Sequence, residues 1–265
     1  MTLLSAQAGI ELPDPVDDTV ASALLEYGEI DVIGRMPWSS NATFLVSVSP
    51  SGREPQATDG PDVPPDAAIL AIYKPQAGER PLWDFPDGTL AAREVAAYAV
   101  SELLGWGLVP HTVLRDGPVG VGALSQFHDH DPEQHYFEIV NGREDVFRRF
   151  AAFDAIINNT DRKGGHVLLD EHGHVWGIDH GTCFHVHPKL RTVIWEFAGE
   201  PIADRLLTDL ECLVDRIAGG GAHSLRPLLM RAEIDATLDR ARSLLRRKRF
   251  ALPSGDYHDY PWPTI

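Results

Sequence analysis

The stretch Asn158-Asn159-Thr160-Asp161-Arg162-Lys163-Gly164-Gly165-His166, followed by Val167-Leu168-Leu169 and then Val175-Trp176-Gly177-Ile178-Asp179-His180-Gly181, decides how this chain folds. Two short apolar runs joined by Asp170-Glu171-His172-Gly173-His174 have the pattern of a β-hairpin. The polar, glycine-bearing segment before them is a loop, so one aspartate (Asp161) leads into the hairpin and a second (Asp179) leaves it. Just upstream, Phe147, Phe150, Ala151 and Asp154 recur at helical spacing, which predicts a helix over 144–157. A carboxylate on that apolar stripe needs a partner. Arg162 or backbone N–H groups of the loop can supply it, pinning the loop; the alternative places Asp154 at the edge of the stripe, in water.

Toward the N-terminus, Ala68-Ile69-Leu70-Ala71-Ile72-Tyr73 reads as a buried strand ending at Lys74-Pro75. Ahead of it, residues 49–66 carry five prolines and two glycines and form a surface loop. Strands over 30–33 and 43–46 flank the turn Pro37-Trp38-Ser39-Ser40-Asn41, and residues 1–20 read as a loose arm or a short capping helix. After Lys74, Asp87-Gly88-Thr89 offers cap chemistry to a helix whose Val95, Tyr98, Ala99 and Leu103 share a face and which Gly105 and Pro110 end. Strands near 112–114 and 122–127 follow. Beyond the hairpin, Leu206, Leu207, Leu210, Leu213, Val214 and Ile217 form one helical face, and a longer helix spans about 231–249. The class is α+β: a β-rich first part, 1–125, and a mainly helical second part, 126–265.

Composition bounds the partners. The 265 residues sum to a charge of −16, with 43% hydrophobic residues to form a core. That balance opposes nucleic-acid binding, which needs clustered Lys and Arg, and opposes docking on anionic lipid. Residues 1–70 hold eleven acids against Arg35 and Arg53, while Arg246-Arg247-Lys248-Arg249 is a basic run on a solvated face. Two cysteines, Cys183 and Cys212, make no disulfide framework and point to a reducing compartment. With neither a signal-peptide pattern nor an apolar run of ~18 residues, a cytoplasmic location is expected, with no stable membrane association.

A strand-end lysine (Lys74), an aspartate in a loop after a helix (Asp161) and an aspartate at the end of the next hairpin (Asp179) form the set that phosphoryl transfer uses. A cation holds nucleotide phosphates, one carboxylate orients the attacking hydroxyl, and another holds a divalent metal. Glu79, Glu94 and Glu102 can each pair with Lys74, with Glu94 preferred. The histidines allow a rival reading. His128/His130, His172/His174 and His185/His187 are H-x-H pairs, and His185 and His187 with His180 could converge on a transition metal.

Residues 30–200 resemble the phosphatidylinositol 3-/4-kinase-related branch of the protein-kinase-like fold, closest to type II phosphatidylinositol 4-kinases, and a group of actinobacterial relatives. The matching stretches are Ile72-Tyr73-Lys74-Pro75 with Gly78-Glu79, Leu108-Val109-Pro110-His111-Thr112, Ser125-Gln126-Phe127, Asn159-Thr160-Asp161-Arg162 and Ile178-Asp179-His180-Gly181. The resemblance implies a small β-rich N-lobe over a helical C-lobe, with ATP and Mg²⁺ or Mn²⁺ as cofactors. Lys74 would contact the ATP phosphates, Asp161 would be the catalytic aspartate with Arg162 beside it, and Asp179 would hold the metal. Gln126 and Phe127 would lie at the adenine hinge. By position, Ser39, Ser40, Asn41 and Thr43 would form the nucleotide lid, although that loop lacks glycine. Five residues after the catalytic Asp, where the family carries a metal-binding Asn, this chain has His166, a softer ligand that favours Mn²⁺ or Zn²⁺ over Mg²⁺. That departure opens a second reading, a nucleotide-binding pseudokinase acting as a scaffold. The acceptor is expected to be a hydroxyl of a protein or a soluble small molecule.

Overall fold

The strand that ends in Lys74 is buried along most of its length because sheet neighbours flank it on both sides. In the computed structural model, which describes residues 5, 9–36, 41–51, 62–255 and 257–265, five strands form one antiparallel sheet. They are β1 (Glu29–Arg35), β2 (Phe44–Ser49), β3 (Ile69–Pro75), β4 (Thr112–Gly117) and β5 (Gly120–Gln126), in the order β1-β2-β3-β5-β4. Lys74 sits opposite Ala123, and the neighbouring Gly122 lets the two strands close. A Cβ there would stand 2.6 Å from both the Lys74 carbonyl oxygen and the Tyr73 ring.

Helix α1 (Asp18–Tyr27) covers this sheet. Asp17 caps it, accepting the N–H groups of Thr19 and Val20 at 2.9 Å each. Val20, Ala21, Leu24 and Leu25 then bury against Val46, Val48, Ile69 and Leu124. The sequence reading left 21–28 without an element. Its signal is the one-sided spacing of those four apolar residues behind a capping aspartate.

Helix α2 (Leu90–Leu104) joins the sheet to a second, helical core. Its Ala96, Ala97, Val100 and Leu104 pack with Phe147, Phe150 and Phe153. Thr89 does not cap it, contrary to expectation: its hydroxyl donates to the Pro86 carbonyl at 2.7 Å. The first N–H groups, of Leu90 and Ala91, are instead taken by the Glu79 carboxylate at 3.2 and 2.8 Å. The rest comprises α3 (Tyr136–Ile139), α4 (Glu144–Ile157), the hairpin β6 (Val167–Leu169) and β7 (Val175–Gly177), α5 (Asp204–Ala218) and α6 (Arg231–Arg247). Helix α6 stops short of the anticipated 249 because Lys248 turns left-handed (φ 52). An antiparallel sheet with α2 between β3 and β4, followed by a mainly helical part, places the chain in the α+β class.

Two ties, the first of them buried, hold α2 in place. The guanidinium of Arg93, 1% exposed, pairs with Glu233 of α6 and donates to the Cys183 carbonyl at 2.7 Å. At the other end, Arg216 of α5 donates to the Leu103 carbonyl at 2.5 Å, and Trp106 Nε1 donates to Asp209 at 2.9 Å.

Candidate functional site

The strand-end lysine lands between two carboxylates. Lys74 Nζ lies 2.5 Å from Glu94 Oε1 and 2.9 Å from Asp179 Oδ1. Of the three glutamates within sequence reach, Glu79 is engaged in capping α2 and Glu102 is exposed, which leaves Glu94 as the partner. The other Glu94 oxygen accepts the His180 N–H at 2.8 Å, so one carboxylate ties β3, α2 and the loop after β7 together. Burial alone would lower the Lys74 ammonium, but the charges of Asp179 and Glu94 outweigh it and hold it above its ordinary range. The Lys74 charge in turn holds the Asp179 carboxyl well below the usual carboxylate range. Asp179 itself is left-handed (φ 62), a conformation that Asp adopts more readily than most residues, and its side chain keeps 51% of its surface open.

Asp161 stands in the loop between α4 and β6. Asn159 shapes that loop by accepting the Asp161 N–H at 3.0 Å. The Asp161 carboxylate is 3.0 Å from Lys163 Nζ. Burial raises its pKa, with His166 and Lys163 opposing. His166 Nε2 faces Asp179 Oδ2 at 3.4 Å, and burial lowers the imidazole, keeping it neutral. Its Nδ1 is buried without a partner among the described residues.

Arg162, expected in the catalytic set, is placed elsewhere. It is fully buried, and its Nε and Nη2 bond to Asp154 at 2.9–3.2 Å, while Nη1 donates to the carbonyls of His166 and Ile178. Its Nη2 also donates to His180 Nε2 at 2.7 Å. Burial holds His180 neutral, so its proton resides on Nδ1. Asp154 further accepts from Asn159 Nδ2 at 3.0 Å and Thr192 Oγ1 at 3.3 Å. Asp154 on the apolar stripe therefore pins the loop, and Arg162 is a positioning residue that touches no cleft surface. Gly177 makes room for it: a Cβ there would lie 2.6 Å from Phe150 and 3.3 Å from the guanidinium.

A cleft of about 260 Å³ opens between β3, β5 and the β6–β7 hairpin. Lys74, Glu94 and Asp179 form its polar end; Ile72, Val109, Leu168 and Ile178 line its walls. Gln126 and Phe127 line it where the chain leaves β5, and the Phe127 N–H donates to the Leu70 carbonyl at 3.0 Å. Thr43 also lines the cleft. Asn41 does not: its side-chain oxygen accepts the Arg80 N–H at 2.9 Å, tying the β1–β2 connection to the segment after β3. Ser39 and Ser40 lie outside the described residues.

The histidine pairs do not converge. His180 Nε2 is occupied by Arg162, His174 Nε2 by the Gly107 carbonyl at 2.8 Å, and His128 stacks on Trp176. Among the described residues no three His, Cys, Asp or Glu gather as an all-protein metal centre. Asp179 Oδ2 with neutral His166 Nε2 is a two-group donor set, which fits a divalent ion that completes its shell with phosphate oxygens and water. Lys163 was missed at the sequence level, although its position two residues after Asp161 in a glycine-bounded loop was readable.

The chain belongs to the family of "Protein Rv2133c" of Mycobacterium tuberculosis (strain ATCC 25618 / H37Rv), being 41% identical to it over 278 residues that cover 92% of this chain and 95% of that protein. No family model matches the chain. Among solved structures it is similar to the crystal structure of a Helicobacter pylori proinflammatory kinase, CtkA, at a TM-score of 0.44 and 12% identity, covering 84% of this chain and 93% of that one. That likeness is too distant to bear on activity. Among the described residues no helix is long and apolar enough to cross a membrane.

Proposed function

We propose that this chain is an ATP-dependent phosphotransferase that passes the γ-phosphoryl group to a hydroxyl of a protein or soluble small molecule. The observation that carries the reading is the position of Lys74 Nζ, between Glu94 and Asp179 at one end of a cleft whose walls include Ile72, Val109, Leu168 and Ile178. A lysine on the third strand, paired with a glutamate of the following helix and facing a metal-binding aspartate, is the arrangement that positions nucleotide phosphates in kinases.

In this reading the apolar walls take the base, with Gln126 and Phe127 along its edge, and Lys74 holds the phosphates. A divalent cation held by Asp179 and His166 would neutralise charge on the phosphate oxygens. Asp161 orients the acceptor hydroxyl and takes its proton. Its raised pKa suits it to that role better than a fully solvated carboxylate, and Lys163 stands ready to screen the transferred group. Arg162 and Asp154 keep the loop in register. The division into an N-lobe (1–125) and a C-lobe (126–265) follows the same reading, with the cleft between them.

The test is ADP formation and nucleotide-dependent thermal stabilisation with Mg²⁺ and with Mn²⁺. Wild type is expected to show both, and Asp161→Asn to keep the stabilisation while losing turnover. A wild-type chain that neither binds nor turns over ATP with either ion overturns the proposal. The scaffold reading is favoured by His166 at the second metal position; stabilisation by ATP with no ADP formed by wild type selects it.

A further inference from the structure

We infer that Thr264 is a phosphate acceptor within the chain, modified in cis by the site described above; this rests on the phosphotransferase reading. Thr264 and Ile265 lie against the loop that carries Asp161. The Thr264 carbonyl accepts the Gly164 N–H at 2.7 Å, three residues on from Asp161 and next to Lys163. Ile265 continues beside Gly165, where a Cβ would meet its Cγ2 at 3.9 Å. The approach depends on glycine: a Cβ at Gly164 would stand 2.9 Å from the Phe137 ring and 3.4 Å from the Thr264 carbonyl oxygen.

The segment is held from behind. The Asp259 carboxylate accepts the Ser254 N–H, the Ser254 hydroxyl and the Gly255 N–H at 2.8–3.0 Å. Its carbonyl accepts the Thr192 N–H and Trp195 Nε1, each at 3.1 Å. Thr192 pairs with Arg162 in an isolated bridge, so the tail is fastened to the framework that positions the loop.

Three of the other hydroxyls nearby are engaged as donors. Thr160 donates to the Thr182 carbonyl at 2.7 Å, Thr192 to Asp154 at 3.3 Å and Ser254 to Asp259 at 2.8 Å. Thr264 is half-buried, and its hydroxyl makes no hydrogen bond among the described residues. A tethered alcohol beside the catalytic loop turns an encounter between two molecules into an intramolecular step. The Thr264 Oγ–phosphorus bond forms as the bond from the γ-phosphorus to the β–γ bridging oxygen breaks. ADP leaves, and the hydroxyl proton passes to the Asp161 carboxylate.

The test uses the full chain, treated with phosphatase, then incubated with γ-labelled ATP and Mn²⁺ or Mg²⁺ and mapped by peptide mass spectrometry. Expected are label on Thr264 at a rate independent of protein concentration, retention in Thr264→Ser, and loss in Thr264→Ala and Asp161→Asn. ADP formation that depends on Asp161 without label on Thr264 overturns this inference and leaves the phosphotransferase reading standing. Label on Thr264 of Asp161→Asn when mixed with wild type, at a concentration-dependent rate, overturns the cis geometry. Absence of both label and nucleotide turnover overturns the two together.

Discussion

At the scale of single residues, Lys74 carries the charge balance of the site and, in the proposed function, its phosphate contact. Lys74→Met leaves Glu94 and Asp179 facing each other without their cation, and is expected to remove ATP-dependent stabilisation and ADP formation together, read by thermal shift and a coupled assay. His166→Asn exchanges an imidazole for an amide oxygen; the ratio of Mn²⁺- to Mg²⁺-supported turnover is expected to fall several-fold, as harder ligation suits Mg²⁺. The pH profile has a fixed sign. As the proposed base Asp161 would act deprotonated, and burial raises its pKa, so the acid limb of kcat/KM is expected above the ordinary value of 3.8. The placement of Lys74, Asp161 and Asp179 was legible in the sequence because local elements set each one: a strand end, a loop after a helix, a hairpin exit. Arg162 was misassigned because adjacency to Asp161 says nothing about direction. Along an irregular loop, consecutive side chains can point to the cleft and to the core in turn.

At the scale of elements, buried pairs decide how firmly the site is held. Asp154→Ala strands the Arg162 guanidinium in a dry environment and is expected to cost about 3–5 kcal/mol in denaturant unfolding, whereas Asp154→Asn keeps an acceptor and costs less. Helix periodicity revealed α4 and the apolar face of α5, since each is a local repeat. Two features of α2 were not legible. Its cap comes from Glu79, eleven residues before the first helical N–H it satisfies. Its buried tie joins Arg93 to Glu233 across 140 residues of sequence. A single chain carries no signal that pairs residues so far apart. Helix α1 was overlooked for a different reason: the prolines and acids just before it resemble an unstructured arm until Asp17 is seen as a cap.

At the scale of the whole molecule, buried neutral histidines set the response to acid. Burial pushes His128 down to about 4 and also lowers His111, His166 and His180. The unfolded chain titrates these near 6.5, so below that pH it binds more protons than the folded chain, and stability falls as pH drops. His128 alone accounts for a loss on the order of 3 kcal/mol between pH 6.5 and 4. Unfolding midpoints across that window are expected to fall, and His128→Gln to flatten the slope. Asp179 adds in the same direction at lower pH, because its depressed folded pKa supplies stability that acid removes. The fastening of α2 has a kinetic consequence. Kinases commonly control output by whether this helix lets its glutamate reach the strand lysine. Here the helix is gripped by Glu79 at its first N–H groups, by Glu233 through Arg93 in its first turns and by Arg216 at its end, with the lysine–glutamate contact already made. Under the proposed phosphotransferase reading, a helix fastened this way is expected to keep that contact between turnovers, so progress curves should start without a lag and rise hyperbolically with nucleotide.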